Sequence, residues 1–333
     1  MSDFGCPAVR VGPIEKHPNA DSLGITHVYA YPVIVRLGDF APGDLALYVP
    51  VDAVVPTEGP FAFLADPAKP GRPARIKAKR LRGVFSMGLL VKAPPGAEEG
   101  QDFAAKLGIV KYEEPEPLST GGEDAPSPPG MPAAPKYDIE GYRRWPDVLV
   151  PGEEVEITEK IHGCNGRFIC WQSALHVGSH TRWKRDSESS VWWRAARQLD
   201  LADRLAWAPG TLFYGEVFGQ VQDLRYGSKP GEVFLRFFDV FDPAASRWFD
   251  RDERLALCSG LGLPTVPDLH VGPWDPALLT LAEGQSTLAA ADHVREGIVI
   301  KPVRARFDDR IGRVILKCHG EGYLTRKGGT ERR

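Results

Sequence analysis

Over residues 1–118 the apolar positions come in short runs broken by Gly and Pro, at 26–30, 33–37, 45–49 and 88–91. Runs of this length, rich in Val, Leu and Tyr and bounded by turn residues, predict strands. Several in close succession predict a small β-barrel domain. Between 113 and 136 the hydrophobic residues thin out into Glu-Glu-Pro-Glu-Pro and then Gly-Gly-Glu-Asp-Ala-Pro-Ser-Pro-Pro-Gly. Such a stretch cannot bury a core, and it predicts a semi-stiff acidic linker over 119–136. Beyond it, in 137–333, strand patterns recur at 155–161, 167–171, 174–178, 211–217, 233–241, 297–300 and 314–317. Trp192, Ala196, Leu199 and Leu205 fall at helical spacing and predict one helix over 190–207. The expected fold class is α+β, a β-barrel followed by a domain of antiparallel sheets with flanking helices.

Composition narrows the class of protein. A chain of 333 residues that is 43% hydrophobic and 26% charged can bury the cores of two domains. No apolar run approaches the ~20 residues that cross a bilayer, and Met1 to Gly5 carry no signal-peptide pattern, so a cytoplasmic protein without a membrane partner is expected. Cys6, Cys164, Cys170, Cys258 and Cys318 include no Cys-x-x-Cys pair and read as reduced thiols. The net charge of −3 does not by itself point to nucleic acid, but its distribution does. Arg75, Lys77, Lys79, Arg80 and Arg82 crowd one short segment, and clustered cations of this kind track a phosphate backbone.

The chemistry centres on Glu159-Lys160-Ile161-His162-Gly163-Cys164-Asn165, a Lys-x-x-Gly element at the end of an apolar strand. A lysine that attacks phosphorus must first be deprotonated, although its unperturbed pKa is about 10.4. Desolvation between strands and a nearby metal cation would lower it, and a phosphoramidate intermediate would split one displacement into two. Further charged residues follow in apolar surroundings. Glu216, within Gly215-Glu216-x-x-Gly219, is a carboxylate that needs a partner, either an ion pair or a ribose hydroxyl. Phe238-Asp239 offers a ring to stack on a purine and a carboxylate to orient metal-bound water. Glu296, in Glu296-Gly297-x-x-x-Lys301, suits a divalent cation bridging phosphates. Lys317 could neutralise charge developing on a phosphate.

Taken in order, Lys160-x-x-Gly163, Gly215-Glu216, Phe238-Asp239, Glu296-Gly297 and Lys317 resemble motifs I, III, IIIa, IV and V of the covalent nucleotidyltransferases, the ligases and capping enzymes, over 137–320. The wording around Lys160, with His162, is similar to the RNA ligase 2-like enzymes, and the segments 42–52 and 76–89 resemble OB-type barrels attached to some RNA ligases. The whole chain looks like the Deinococcus-type bacterial RNA ligases. The resemblance implies a ligase-like (ATP-grasp-like) adenylyltransferase domain. It implies ATP as substrate, Mg2+ or Mn2+ as metal, and RNA or an RNA-containing nicked duplex as partner. Lys160 would become lysyl-AMP, the AMP would pass to an RNA 5′-phosphate, and a 3′-hydroxyl would displace it, a nick-sealing reaction used in RNA repair. Glu216 would hold the ribose and Phe238 would stack on adenine. Glu159, Ile161, Asn165 and Arg182 would line the nucleotide, Glu296 with Asp239 would bind metal, and Lys317 would contact the α-phosphate.

Two positions depart from that pattern. Motif Ia usually offers Ser-Arg, whereas Ser179-His180-Thr181-Arg182 leaves the phosphate contact to His180 or Arg182, with Arg182 favoured. The second motif V lysine is replaced by His319, which is only partly charged near neutral pH. Only 321–333 follow motif V, so no carboxy-terminal OB domain is expected. The alternatives are a capping-type guanylyltransferase using GTP and a non-catalytic RNA-binding protein on a ligase scaffold.

Overall fold

The computed structural model describes residues 4–112, 122–288 and 293–326. The chain divides into two compact units, Met1–Glu114 with Tyr142–Pro146, and Pro115–Gly141 with Asp147–Arg333.

In the first unit the Leu45–Val49 strand lies between Ala8–Arg10 and Leu89–Lys92, antiparallel to both. Leu47 and Val49 point into a cluster with Phe61 and Phe103, while Ala46 and Tyr48 point into another with Val33 and Val35. Burial on both faces explains why this strand reads as a continuous apolar run. Glu15–Lys16, Leu23–Val28 and Tyr31–Arg36 form a second sheet, and Ala53–Val55 pairs with Ala74–Arg75 and Val110–Lys111 in a third.

The ladders are not seen to close into one barrel among the described residues. Where the Tyr31–Arg36 strand meets 86–87, Ile34 N–H donates to Ser86 Oγ and Met87 N–H to the Pro32 carbonyl. Pro32 has no N–H to return, so only isolated bonds form there. Tyr142–Pro146 also belongs to this unit, with Ala30 N–H donating to the Arg143 carbonyl at 2.9 Å. The first domain therefore collects a segment from beyond the expected boundary at 118.

The second unit holds two large sheets and a small hairpin of Phe307–Asp308 with Gly312–Arg313. Seven strands run in the order Asp124–Ala125, Trp183–Lys184, Ala174–Ser179, Cys164–Trp171, Leu212–Gly219, Val233–Asp242 and Arg247–Trp248. Five run in the order Glu140–Gly141, Leu316–His319, Gly297–Pro302, Glu154–Lys160 and Asp268–Pro273. Pairing is antiparallel except between Glu140–Gly141 and Leu316–His319. The expected linker over 119–136 is corrected where it is described. Asp124–Ala125 pairs with Trp183–Lys184, Asp124 takes an ion pair from buried Lys184, and Met131 and Ala134 pack on the core. Its prolines exclude a long strand, but a two-residue edge strand needs few donors.

The expected single helix is two, Val191–Gln198 and Leu201–Leu205. Asp200 has φ +49° and breaks the run, a left-handed conformation that a short polar side chain tolerates. Trp192, Ala196 and Leu205 are buried as the spacing predicts, against the face of the large sheet carrying Phe168, Phe213, Val217 and Leu235. The opposite face of that sheet carries Asn165, Arg167, Tyr214 and Glu216. In the five-stranded sheet the register pairs Glu156 with Lys301, Thr158 with Val299 and Lys317, and Lys160 with Gly297 and His319. Directly opposed residues share a face. One face is therefore ionic, and the other bears Val155, Ile157, Ile298, Ile300 and Leu316.

Candidate active site

Lys160 ends the Glu154–Lys160 strand on the ionic face, in one row with Gly297 and His319. Its Nζ donates to Glu296 Oε1 at 2.6 Å, and His319 Nε2 lies 3.5 Å from the same oxygen. Burial alone would raise the Glu296 carboxyl, but Lys160, His319 and His162 reverse the sign and hold it well below the usual carboxylate range. Glu296 Oε2 is buried and has no hydrogen-bond partner.

Gly163 is required by close approach. A Cβ there would lie 2.2 Å from the Val217 carbonyl oxygen, so only glycine lets the chain turn against the neighbouring strand. That turn delivers Asn165 opposite Glu216. Asn165 Oδ1 is buried without a partner. Burial pushes the Glu216 carboxyl up to about 8 against the pull of Lys160, with like charge on Glu296 adding to the rise. Phe238 is half-buried at a register shift where Tyr214 faces Asp239 and Gly215 faces Phe237. Such a bulge re-aims the side chain it carries.

His162 is held from several sides, which sequence reasoning did not anticipate. Its Nε2–H donates to Asp223 Oδ1 at 2.7 Å, Tyr323 OH meets Nδ1 at 3.0 Å, and Tyr226 OH accepts the backbone N–H at 2.7 Å. Arg326 clamps both Asp223 oxygens. Asp223, Tyr226, Tyr323 and Arg326 lie in loops and a short helix with no periodic pattern, so only the fold reveals them.

Other expected residues stand elsewhere. Asp239 is fully buried, with Tyr137 OH donating at 2.6 Å, Arg313 Nη1 at 2.7 Å and Lys301 Nζ 3.5 Å away. Burial opposes its charge, but Arg313 and Lys301 hold the carboxyl well below its ordinary value. Its oxygens are thus committed to a structural network that continues through Lys301 to Glu156 and Arg254. This corrects the metal-ligand expectation for Asp239. The Glu159 side chain points to the opposite face from Lys160, where Thr287 N–H and Oγ1–H donate to it at 2.8 and 2.6 Å and Ser286 adds a third bond. Glu159 thereby organises a loop, and only its backbone flanks the nucleophile position. Ile161 is buried among Phe218, Tyr226, Val266 and Tyr323. Arg182 has a side chain 67% exposed and paired with Asp124, whereas His180 bonds the Tyr137 carbonyl and burial lowers its pKa. Lys317 is half-buried on the ionic face beside Val299.

Two buried oxygens without a hydrogen-bond partner, Glu296 Oε2 and Asn165 Oδ1, are the ligand type that Mg2+ and Mn2+ take, and so small a protein donor set leaves room for water and phosphate.

In the first unit Arg75 is withdrawn from any nucleic-acid surface. It donates to Asp52 Oδ1 through two nitrogens, at 3.1 and 2.8 Å, and lies 3.6 Å over the Tyr112 ring. Lys77 is half-buried, while Lys79, Arg80 and Arg82 stand exposed on the hairpin of Lys79–Leu81 and Val84–Ser86.

Comparison with known proteins decides the family. A model described as RNA ligase matches residues 153–319, half of the chain, and includes Lys160, Asn165, Glu216, Phe238, Glu296 and Lys317. The chain belongs to the RNA ligase family. An OB-fold domain model matches residues 8–93 of this family member. Among solved structures its fold is similar to a lysine-to-alanine variant of the Naegleria gruberi RNA ligase with ATP and Mn, at a TM-score of 0.82 and 21% identity, covering 96% of this chain and 98% of that one. The same Naegleria enzyme with PPi gives 0.81 and 22%, covering 96% and 97%. A glutamate-to-alanine variant with AMP and Mn gives 0.81 and 22%, also covering 96% and 97%. No curated protein sequence matches the chain significantly.

Proposed function

We propose that this RNA ligase family member is an ATP-dependent RNA ligase of the Deinococcus type that seals nicks carrying an RNA 3′-hydroxyl, through lysyl-AMP on Lys160, in cytoplasmic RNA repair. The observation that carries the reading is Lys160 Nζ at 2.6 Å from Glu296, in a setting where the charge of Lys160 also acts on Glu216.

In the first step the deprotonated Lys160 amine attacks the α-phosphorus of ATP. A P–N bond forms, the bond to the bridging oxygen breaks, and pyrophosphate leaves. An oxygen of the RNA 5′-phosphate then attacks the same phosphorus, the P–N bond breaks, and Lys160 recovers a proton. Finally the 3′-hydroxyl attacks the RNA 5′-phosphorus, loses its proton, and AMP leaves. Phe238, aimed by its bulge, stacks on adenine, and Glu216 takes the ribose. Lys317 and, when protonated, His319 carry positive charge to the face where the α-phosphate sits. A divalent cation on Glu296 and Asn165 would neutralise the phosphates, in keeping with the Mn in the Naegleria complexes. The first unit grips nucleic acid through Lys79, Arg80 and Arg82.

The test is transfer of label from α-labelled ATP or GTP to the denatured protein with Mg2+ or Mn2+. ATP is expected to label the parent, and Lys160→Ala to abolish labelling. Label retained by Lys160→Ala, or none with either nucleotide, would overturn the reading, and labelling by GTP alone would favour a capping-type enzyme. A nick with an RNA 3′-hydroxyl is expected to be sealed better than an all-DNA nick.

A further inference from the structure

Arg167 is 7% exposed, and its Nε is buried without a hydrogen-bond partner. No carboxylate pairs with its guanidinium among the described residues. A buried cation without a counter-charge is costly, so some anion is expected to complete the site. Burial accordingly pulls the guanidinium pKa down, with only the Tyr214 phenol opposing.

The side chain is held for such a role. Arg167 lies two residues beyond Asn165 on the same sheet face, between Tyr214 and Gly178 on the neighbouring strands. It crosses Gly178, where a Cβ would come within 3.0 Å of Nε, and its guanidinium lies 4.5 Å from the centre of the Trp183 ring. Stacking on an indole fixes the plane of the group and leaves its edge for bidentate bonding. Nearby carboxylates are already committed. Asp239, in the same cross-strand row through Tyr214, belongs to Arg313, Tyr137 and Lys301. Asp138 is 3.1 Å from Lys136 and 3.6 Å from His180.

We propose that Arg167 is a phosphate-binding residue of this active site, filling the place that sequence pattern assigns to Arg182 or His180. Arg182 is exposed and already paired with Asp124. His180 Nε2 is taken up by the Tyr137 carbonyl, and burial disfavours its charged form. The guanidinium fork of Arg167 matches two phosphoryl oxygens. The assignment rests on the ligase reading, in which the phosphate belongs either to ATP or to the RNA 5′ end.

Binding by the full-length chain separates these sources without requiring lysine transfer. ATP and inorganic pyrophosphate are titrated by calorimetry into the parent, Arg167→Gln and Arg167→Lys, and nicked RNA duplexes with a 5′-phosphate or a 5′-hydroxyl are compared by filter binding. If Arg167 holds the nucleotide, Arg167→Gln weakens ATP at least tenfold. If it holds the RNA end, the preference for 5′-phosphate over 5′-hydroxyl falls by a similar factor. Arg167→Lys retains part of either effect, whereas Arg182→Gln changes neither. An Arg167→Gln protein with the parent's melting temperature, ATP isotherm and 5′-phosphate preference overturns the assignment. A parent that binds these phosphates but takes no label sinks the ligase reading alone, and a parent that binds none of them overturns both.

Discussion

Lys160, at the end of its strand in the five-stranded sheet, meets Glu296, which immediately precedes the neighbouring strand, ammonium to carboxylate at 2.6 Å. The register that sets Lys160 opposite Gly297 puts Glu296 just past the end of the ladder, where its side chain can reach the lysine. Glu296→Gln keeps the shape but removes the charge. It should cut lysine labelling by about a hundredfold or more, the scale of losing a main electrostatic contact at the reacting group. Quenched-flow labelling with α-labelled ATP measures it, and near-parental labelling would show that Glu296 serves only to hold the fold.

Gly163 predicts a steric effect at the same site. Gly163→Ala places a methyl where the Val217 carbonyl sits, 2.2 Å from the ideal Cβ. Overpacking of this kind costs about 1–3 kcal/mol. Chemical denaturation should show that loss, together with reduced labelling, because the turn that carries His162 and Asn165 must shift. A variant of parental stability and activity would show that the backbone adjusts freely.

Asp239 predicts the pH response of stability. Its folded pKa lies below the unfolded value of about 3.9. Its contribution is therefore present above that value and lost as pH falls through the folded pKa. Asp239→Asn should destabilise the protein by about 3–5 kcal/mol at pH 7, because it leaves Arg313 and Lys301 short of a partner. The difference from the parent should narrow below pH 4. Melting curves from pH 3 to 7 test this, and a constant difference across the range would contradict the ionic role.

The exposed hairpin predicts salt dependence. Replacing Lys79, Arg80 and Arg82 together by Ala should lower the slope of log affinity against log salt for nicked duplex by roughly one for each phosphate that the hairpin no longer neutralises. Lysine labelling should be unchanged. Filter binding between 50 and 200 mM salt reads the slope, and an unaltered slope would remove the hairpin from the nucleic-acid interface.

Much of this molecule was legible before any coordinates. Alternation in Glu-Val-Glu-Ile-Thr-Glu-Lys set which residues share a face with Lys160, because a strand's side chains alternate with period two. The strand at Leu45–Val49 and the buried helical positions Trp192, Ala196 and Leu205 followed from the same periodicities. The order of charged motifs pointed to the RNA ligase family, and the family model agrees. Local pattern does not report which charges meet. Asp239 looked like a metal ligand until Arg313 and Tyr137 were seen to hold it, and Glu159 looked like a nucleotide contact until Ser286 and Thr287 were seen to take its carboxylate. Arg75, one of five neighbouring cations, proved to belong to Asp52 and Tyr112. Arg167 drew no notice in the sequence, since its lack of a partner exists only once strands far apart in the chain are paired. Backbone period is a local property that sequence carries by itself. The partner of a buried charge is a long-range property, chosen when the sheets pack and water is excluded, and that choice separates the residues that build this site from those free to act in it.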